Sequence, residues 1–312
     1  MGQVVYAALR FLPLERSPVK IPVNVAQSWS RRFNSILSLT RIFPLESAHP
    51  STDVHRATDY LQNCWTARFL MAVLLGGQVL MRLLKGKICR RHIMEHMVTV
   101  GPGSLIAVLL TSFFSGMIFT IQTARELVQF GAVSAVGGAF AIAFCRELAP
   151  ILTASIIAGQ VGSAFAAEIG SMRVTEQIDA LHMLRTDPVD YLVVPRVIAC
   201  CMMLPIMTIL ALVTGILGGV FIAANLYSLP AATFLDSVQA FLNLTDLFNV
   251  VLKAFVFGAI VAVIGCSWGL TTTGGVKGIG RSATAAVVTT WVTIFIVNFF
   301  LSLVMFQELG IA

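Results

Sequence analysis

An arginine and a glutamate stand next to each other inside an otherwise apolar part of this chain. Arg146 and Glu147 interrupt a run from Leu127 to Ala167 that contains no other charged residue. Ionisable side chains in a lipid bilayer are costly, so they usually pair with a partner or line a polar pathway. Neighbouring residues on a helix point about 100° apart, so these two are not expected to satisfy each other. They predict either a polar cavity or a buried network that fixes helix packing.

A second group of residues has the spacing of a metal site. His92, Glu95 and His96 match the HxxEH pattern of inverted zinc proteases, in which two histidines bind zinc and the glutamate acts as a base. No further acidic ligand is clearly placed, so a polar junction at the start of a membrane span is the favoured interpretation. A zinc membrane protease remains an alternative, and we predict that the chain holds no metal and no cofactor of its own.

A glycine-rich, basic segment lies near the C-terminal end of the chain. It runs from Gly274 to Gly280 around Lys277. It lacks the GxxxxGK[ST] order of a phosphate-binding loop, because no serine or threonine follows the lysine, and it joins two apolar runs. We therefore predict a tight loop and no ATP-binding motif, which excludes an enzyme that hydrolyses ATP itself.

The composition predicts an integral membrane protein. Hydrophobic residues make up 57% of the 312 residues, charged residues make up 12%, and the mean hydropathy is +0.86. A soluble domain of this size needs a more polar surface. Thirteen of the 21 lysines and arginines precede residue 97. This bias predicts an inside-facing N-terminal region near anionic lipid, and no motif favours nucleic acid as a partner.

Five apolar runs are long enough to cross a bilayer, which needs about 20 residues. The shorter run Phe69–Met81 is flanked by two arginines and predicts a helix that lies at the membrane interface. The fold class is therefore an all-α integral membrane protein with about five transmembrane helices preceded by an interfacial helix. The five runs are Met97–Ala124, Leu127–Ala167, Val197–Leu235, Ala254–Val276 and Ser282–Gln307.

The charge distribution selects five crossings over six. Two short spans turning at Pro150 would give six, but would break the asymmetry of basic residues. With five, the N-terminal region and the segments 168–196 and 277–281 share one basic side. The opposite connection, 225–249, contains two aspartates and no basic residue. We therefore predict an N-terminus inside and a C-terminus outside.

The first 55 residues differ from the rest of the chain. They are rich in arginine and serine, poor in acids, and amphipathic around Trp29 and Phe33. This composition is typical of an organelle transit peptide, and a retained amphipathic helix on anionic lipid is the competing interpretation. We divide the chain into this region, 1–55, and a membrane domain, 56–312.

The segment between the second and third apolar runs predicts a surface helix over Gly170–Leu184. Val174, Ile178 and Leu181 form an apolar stripe, and charged residues occupy the other faces. Asp187 precedes a proline, which ends the helix. A charged helix between two spans is a natural docking element for a soluble partner.

These motifs resemble the MlaE-type permease family, the membrane subunits of ABC lipid transporters that work with MCE-domain proteins. The resemblance covers roughly residues 70–307 and is closest to the plastid trigalactosyldiacylglycerol transporter branch of the family. It is carried by Arg146–Pro150, Gly162–Leu184, Asp187–Arg196, Cys266–Gly275 and Lys277–Gly280.

The resemblance implies a homodimeric permease that moves a glycerophospholipid or a precursor such as phosphatidic acid. An ABC ATPase would dock on the inside and hydrolyse ATP, and an MCE-domain lipid-binding protein would sit on the other side. The expected location is the plastid inner envelope membrane, with a bacterial or cyanobacterial inner membrane as the alternative. An ion-coupled secondary transporter using the Arg146–Glu147 pair is the competing function.

Two sets of site residues are predicted from this reading. The lipid cavity is assigned to Arg146, Glu147, Gln122 and Pro150. The ATPase coupling helix is assigned to Glu168, Arg173, Glu176, Asp179 and Leu181. The chain departs from the family pattern at Gln160 and Asn298, where the family often has arginine and aspartate. It also departs at Arg281, where the plastid branch tends to have glutamate.

Overall fold

The computed structural model describes residues 65–84 and 90–306, and within these ranges the chain forms eight helices and no strand. The predicted N-terminal region 1–55 lies outside the described residues. The helices are α1 Trp65–Leu84, α2 Arg90–Gln129, α3 Val133–Val174, α4 Gln177–Met183, α5 Val189–Leu226, α6 Ala231–Phe241, α7 Leu244–Leu270 and α8 Gly275–Phe306.

Five of these helices are long and apolar enough to cross a membrane, which confirms the predicted fold class. They are α2, α3, α5, α7 and α8. The third apolar run, Val197–Leu235, is longer than one span needs, and its end begins the separate outer helix α6. The predicted start of the fourth span at Ala254 is wrong. The helix α7 starts at Leu244, because Asn243 and Asp246 form a reciprocal capping box there.

The five spans pack closely where glycines face each other. A Cβ on Gly116 of α2 would lie 2.1 Å from the carbonyl oxygen of Gly215 in α5, so the two backbones cross almost in contact. A Cβ on Gly265 of α7 would lie 2.9 Å from the carbonyl oxygen of Gly162 in α3. Gly215 and Gly219 of α5 and Gly265 and Gly269 of α7 are each spaced four residues apart, and all four lie against a neighbouring helix.

Two of the spanning helices contain wide π-helical turns. Phe144–Leu148 and Ala158–Gly162 interrupt α3, and Val189–Val193 opens α5. Prolines follow two of these turns, at Pro150 and Pro195. A proline has no N–H to donate, so the carbonyl four residues before it loses its usual partner. Wide turns of this kind are frequent at functional sites.

Helix α1 lies along the basic side of the bundle, as the sequence predicted. Arg68 donates to Ser282 near the start of α8, and Arg82 contacts Asp187 before α5. Both of these partners belong to the same side, so the helix does not cross between sides. Its buried stripe of alanine, leucine and valine faces the bundle, and its opposite face is apolar and exposed. That pattern fits a helix lying in the interface.

The connector between α3 and α5 contains a helix, but the predicted continuous helix Gly170–Leu184 is wrong. Helix α3 ends at Val174 and α4 begins at Gln177. Glu176 between them adopts a left-handed conformation with a φ of 59°. Glutamate rarely adopts this conformation, and the sequence contains no glycine or proline here that would predict a break in the helix.

Candidate functional site

The carboxylate of Glu147 is held by three side chains from two other helices. Lys253 Nζ of α7 lies 2.9 Å from Oε1, and Ser302 Oγ of α8 donates to the same oxygen at 2.7 Å. Asn298 Nδ2, also of α8, donates to Oε2 at 2.6 Å. Glu147 thus joins α3, α7 and α8 through its side chain, while 38% of that side chain stays exposed.

The ammonium group of Lys253 is the centre of this network. Its side chain is 0% exposed, and it donates to Glu147, to Ser302 Oγ at 2.9 Å and to the carbonyl oxygen of Arg146 at 3.0 Å. In a regular helix that carbonyl would accept the N–H of residue 150, which is a proline. The buried Pro150 therefore leaves an acceptor that Lys253 fills.

Arg146 points to a different partner, as the 100° offset predicted. Its Nη2 lies 2.8 Å from Oδ1 of Asp246, which is 5% exposed. The other carboxylate oxygen of Asp246 accepts the backbone N–H of Asn243 at 3.2 Å. Arg146 is therefore tied to the first turn of α7, and its side chain remains 21% exposed.

These charges lie towards the outer ends of the spans. Lys253 is the tenth residue of α7, so it lies about 14 Å from the outer end of a helix about 40 Å long. The network is thus above the middle of α7, on the side opposite the basic loops. Of the other predicted cavity residues, Gln122 is exposed near the outer end of α2 and Pro150 is buried.

One half of this network is visible in the sequence as the charged pair, and the other half is not. Lys253 directly precedes the predicted fourth apolar run, and Asp246 is one of the two aspartates of the predicted outer connection 225–249. A signal for both was present, because Asp246 and Lys253 lie seven residues apart and so on one face of a helix, two turns from each other. Asn298, noted as a departure from the family pattern, supplies a hydrogen-bond donor to Glu147.

The predicted coupling residues form two groups on the basic side. Glu168 Oε2 lies 3.0 Å from Nη2 of the buried Arg196, whose guanidinium stacks over the ring of Phe165. This group fixes α3 to the start of α5. Arg173 and Asp179 form an exposed ion pair of 2.9 Å across the break between α3 and α4.

The connector also presents an apolar surface to solvent. Met183 is 87% exposed and Leu184 is 75% exposed, whereas Ile178 near the start of α4 is buried in the core. Glu176 is exposed, and Leu181 packs partly against the core. An exposed apolar pair beside charged side chains is typical of a protein-binding surface.

The HxxEH residues face aromatic rings on neighbouring helices. His92 Nδ1 lies 3.6 Å from Oε2 of Glu95, and its ring meets Tyr191 edge-on. His96 meets the ring of Phe165 in the same way. In the described part of the chain, no group of three potential metal ligands forms around them.

A bundle of five spans, with a polar network inside it and an exposed connector on one side, has the architecture of a membrane permease. The family model described as Permease MlaE matches residues 93–304. The chain is a multi-pass membrane protein that belongs to the MlaE permease family.

Relatives from photosynthetic and other organisms share most of the chain. A probable ABC transporter permease protein of Synechocystis is 56% identical over 255 residues, which cover 82% of this chain and 97% of the relative. The chloroplastic protein TRIGALACTOSYLDIACYLGLYCEROL 1 of Arabidopsis thaliana is 46% identical over 243 residues, 78% of this chain and 69% of the relative. A probable ABC transporter permease protein of Rickettsia typhi is 37% identical over 215 residues, 69% of this chain and 83% of the relative.

Proposed function

We propose that this chain is the membrane subunit of an ABC lipid transporter, working as a homodimer with a separate ATPase. Family membership supports the class, and the names of the relatives support an ATP-driven permease. The observation that carries the proposal is the connector, because its exposed Met183 and Leu184 lie beside a charged break on the basic side. A homodimer would give each of the two ATPase subunits one connector.

The proposed cargo is a glycerophospholipid or a phosphatidic-acid-like precursor, bound near Arg146 and Glu147, with Gln122 and Pro150 as the other residues assigned to the cavity. Arg146 supports this assignment because a guanidinium binds a phosphate through two parallel hydrogen bonds. Its partner Asp246 would then exchange with the lipid phosphate. An MCE-domain protein at the outer ends of the spans would exchange lipid with this region.

The proposed location is the plastid inner envelope membrane, with a cyanobacterial or bacterial inner membrane as the alternative. The chloroplastic relative from Arabidopsis supports the first, and the relative from Synechocystis supports the second. Sequencing the N-terminus of the mature protein from native membranes tests this proposal. Loss of about the first 55 residues is expected for a plastid protein, and an intact N-terminus would contradict it.

The docking surface is tested by two double variants of the full chain. Glu176→Lys with Asp179→Lys reverses its charge, and Met183→Ser with Leu184→Ser removes its apolar part. All four side chains are exposed. We therefore expect a folded permease that no longer co-purifies with the ATPase. Normal recovery of the ATPase with both double variants would overturn the proposed docking surface.

A matched control makes the same charge change on the opposite side. Glu126→Lys with Asp236→Lys alters two exposed acids near the outer ends of the bundle. This variant should keep the ATPase. If it loses the ATPase as completely as the connector variants, the effect comes from net charge and not from docking.

The lipid assignment is tested by Arg146→Lys. A lysine keeps the positive charge towards Asp246 but cannot form the paired hydrogen bonds to a phosphate. The complex should assemble normally, with less phospholipid co-purifying and weaker lipid-stimulated ATP hydrolysis. Unchanged lipid content and turnover would remove Arg146 from the proposed binding site.

A further inference from the structure

Helix α1 is tied to the connector at its C-terminal end. The two terminal nitrogens of Arg82 lie 2.6 Å from Asp187 Oδ2 and 2.7 Å from Asp190 Oδ1. The side chain of Arg82 is 17% exposed, so these contacts are partly shielded from water. Burial lowers the pKa of Arg82, but the two carboxylates outweigh it and raise the pKa overall, so the guanidinium stays charged.

Asp187 connects this ion pair to the backbone of α5. Its Oδ1 accepts the N–H of Val189 at 3.0 Å, and its carbonyl oxygen accepts the N–H of Tyr191 at 3.1 Å. These bonds begin the wide turn that opens α5. Arg82 therefore contacts the chain where the connector ends and the spanning helix α5 begins.

The N-terminal part of α1 is tied to the turn between α7 and α8. Arg68 donates to the carbonyl oxygens of Trp268 and Thr271 at 3.2 and 2.9 Å. It also donates to the hydroxyls of Thr271 and Ser282, at 3.0 and 3.1 Å. The last carbonyls of a helix have no partner within it, so Arg68 caps the end of α7.

The body of α1 is one continuous helix that packs against the bundle between these two ends. Ala72, Leu75 and Val79 are buried against the bundle at helical spacing. Arg68 and Arg82 are 14 residues apart, so the two ties are separated by about 21 Å along a continuous helix. The two ties therefore lie on one uninterrupted helix.

We propose that α1 is a strap that couples the connector to the α7–α8 turn, with Arg82 as its positioning residue. The proposal rests on the proposed function, since the connector moves only if an ATPase docks on it. The strap would pass this movement to α7, the helix that carries Lys253 and Asp246. A plain membrane anchor would need its apolar faces but not the paired charges at Arg82.

The test is Arg82→Gln in the full chain, purified with its ATPase and reconstituted in phosphatidylcholine vesicles containing phosphatidic acid. ATPase recovery and basal ATP hydrolysis should match the unsubstituted complex, because the docking surface is intact. Lipid-stimulated hydrolysis should fall by about 10-fold, the size expected for losing a charged hydrogen bond. Hydrogen exchange at the amides of Val189 and Tyr191 should become faster.

Three further variants separate the strap from a general effect. Asp190→Asn should give a smaller loss, because Asp187 still binds Arg82, and adding it to Arg82→Gln should cause no further loss. Arg125→Gln, at an exposed arginine near the outer end of α2, should leave lipid stimulation unchanged.

The outcomes distinguish the strap from the proposed function. Full lipid stimulation in Arg82→Gln, additive losses in the double variant, or loss of the ATPase from Arg82→Gln would each overturn the strap. If no ATPase co-purifies with the unsubstituted chain, the proposed function itself is overturned.

Discussion

Removing the charge of Lys253 alone should destabilise the bundle much more than removing the charges of Lys253 and Glu147 together. In Lys253→Met, a side chain of similar length replaces the ammonium, and Glu147 loses its positive partner. Breaking a buried ion pair from one side costs about 3–5 kcal/mol. The low end applies here, about 3 kcal/mol, because 38% of the Glu147 side chain can still reach solvent.

The reverse single variant should cost more. Glu147→Gln keeps an acceptor oxygen but replaces the anion that faces an ammonium of 0% exposure with a neutral amide, so we expect the high end, about 5 kcal/mol. The double variant contains neither charge, and paired replacement of buried ions is often nearly neutral. We expect it to lose less than about 2 kcal/mol.

The three variants are compared by thermal unfolding in one detergent. The measured quantity is the fraction of protein that still elutes as a folded species after heating. A loss of 1 kcal/mol lowers the Tm of a domain of this size by about 2–4 °C, so Lys253→Met should lose about 6–12 °C. The decisive result is the coupling between the two positions. A double variant that loses the sum of the two single losses, about 8 kcal/mol, would refute the network as a stabilising unit.

Three other changes test single contacts by the same thermal measurement. Gly116→Ala should disrupt the crossing with Gly215 and lower the Tm, whereas Gly103→Ala on the same helix, where a Cβ meets nothing within 4 Å, should be neutral or stabilising; equal effects would contradict the close approach. Glu176→Gly should stabilise the chain by about 1 kcal/mol by relieving its positive φ, and Glu176→Ala should not. Trp291→Phe should cost about 1 kcal/mol, because the indole donates to a carbonyl of α3 at 3.1 Å, and an unchanged Tm would remove that bond from the packing.

The spans and their order follow from the sequence because each depends on local composition. An uncharged run of 20 or more residues must form its backbone hydrogen bonds internally, so the five helices were predictable. The start of α7 was not, because Asp246 and Lys253 read as residues outside the bilayer when each was considered alone. Their partners on α3 lie 100 and more residues away in the chain, and one sequence does not show such pairings.

The charged pair was predictable as a feature but not as a structure. Arg146 and Glu147 were visible because they are costly in an apolar run. Their geometry depends on the wide turn at residues 144–148 and on Pro150, which creates the acceptor for Lys253. The break between α3 and α4 was not predictable either, since glutamate is not a residue type that signals a positive φ in a sequence.

The wide turns of α3 also affect how the chain aligns with its relatives. A π-helical turn contains one residue more than the α-helical turn it replaces. The helix segments on the two sides of residues 158–162 are therefore related by an offset of one position, although each keeps a regular period of its own. A relative that lacks one residue in this turn can retain every contact before and after it. Single-residue gaps in alignments of α3 are thus expected at its wide turns and not between them.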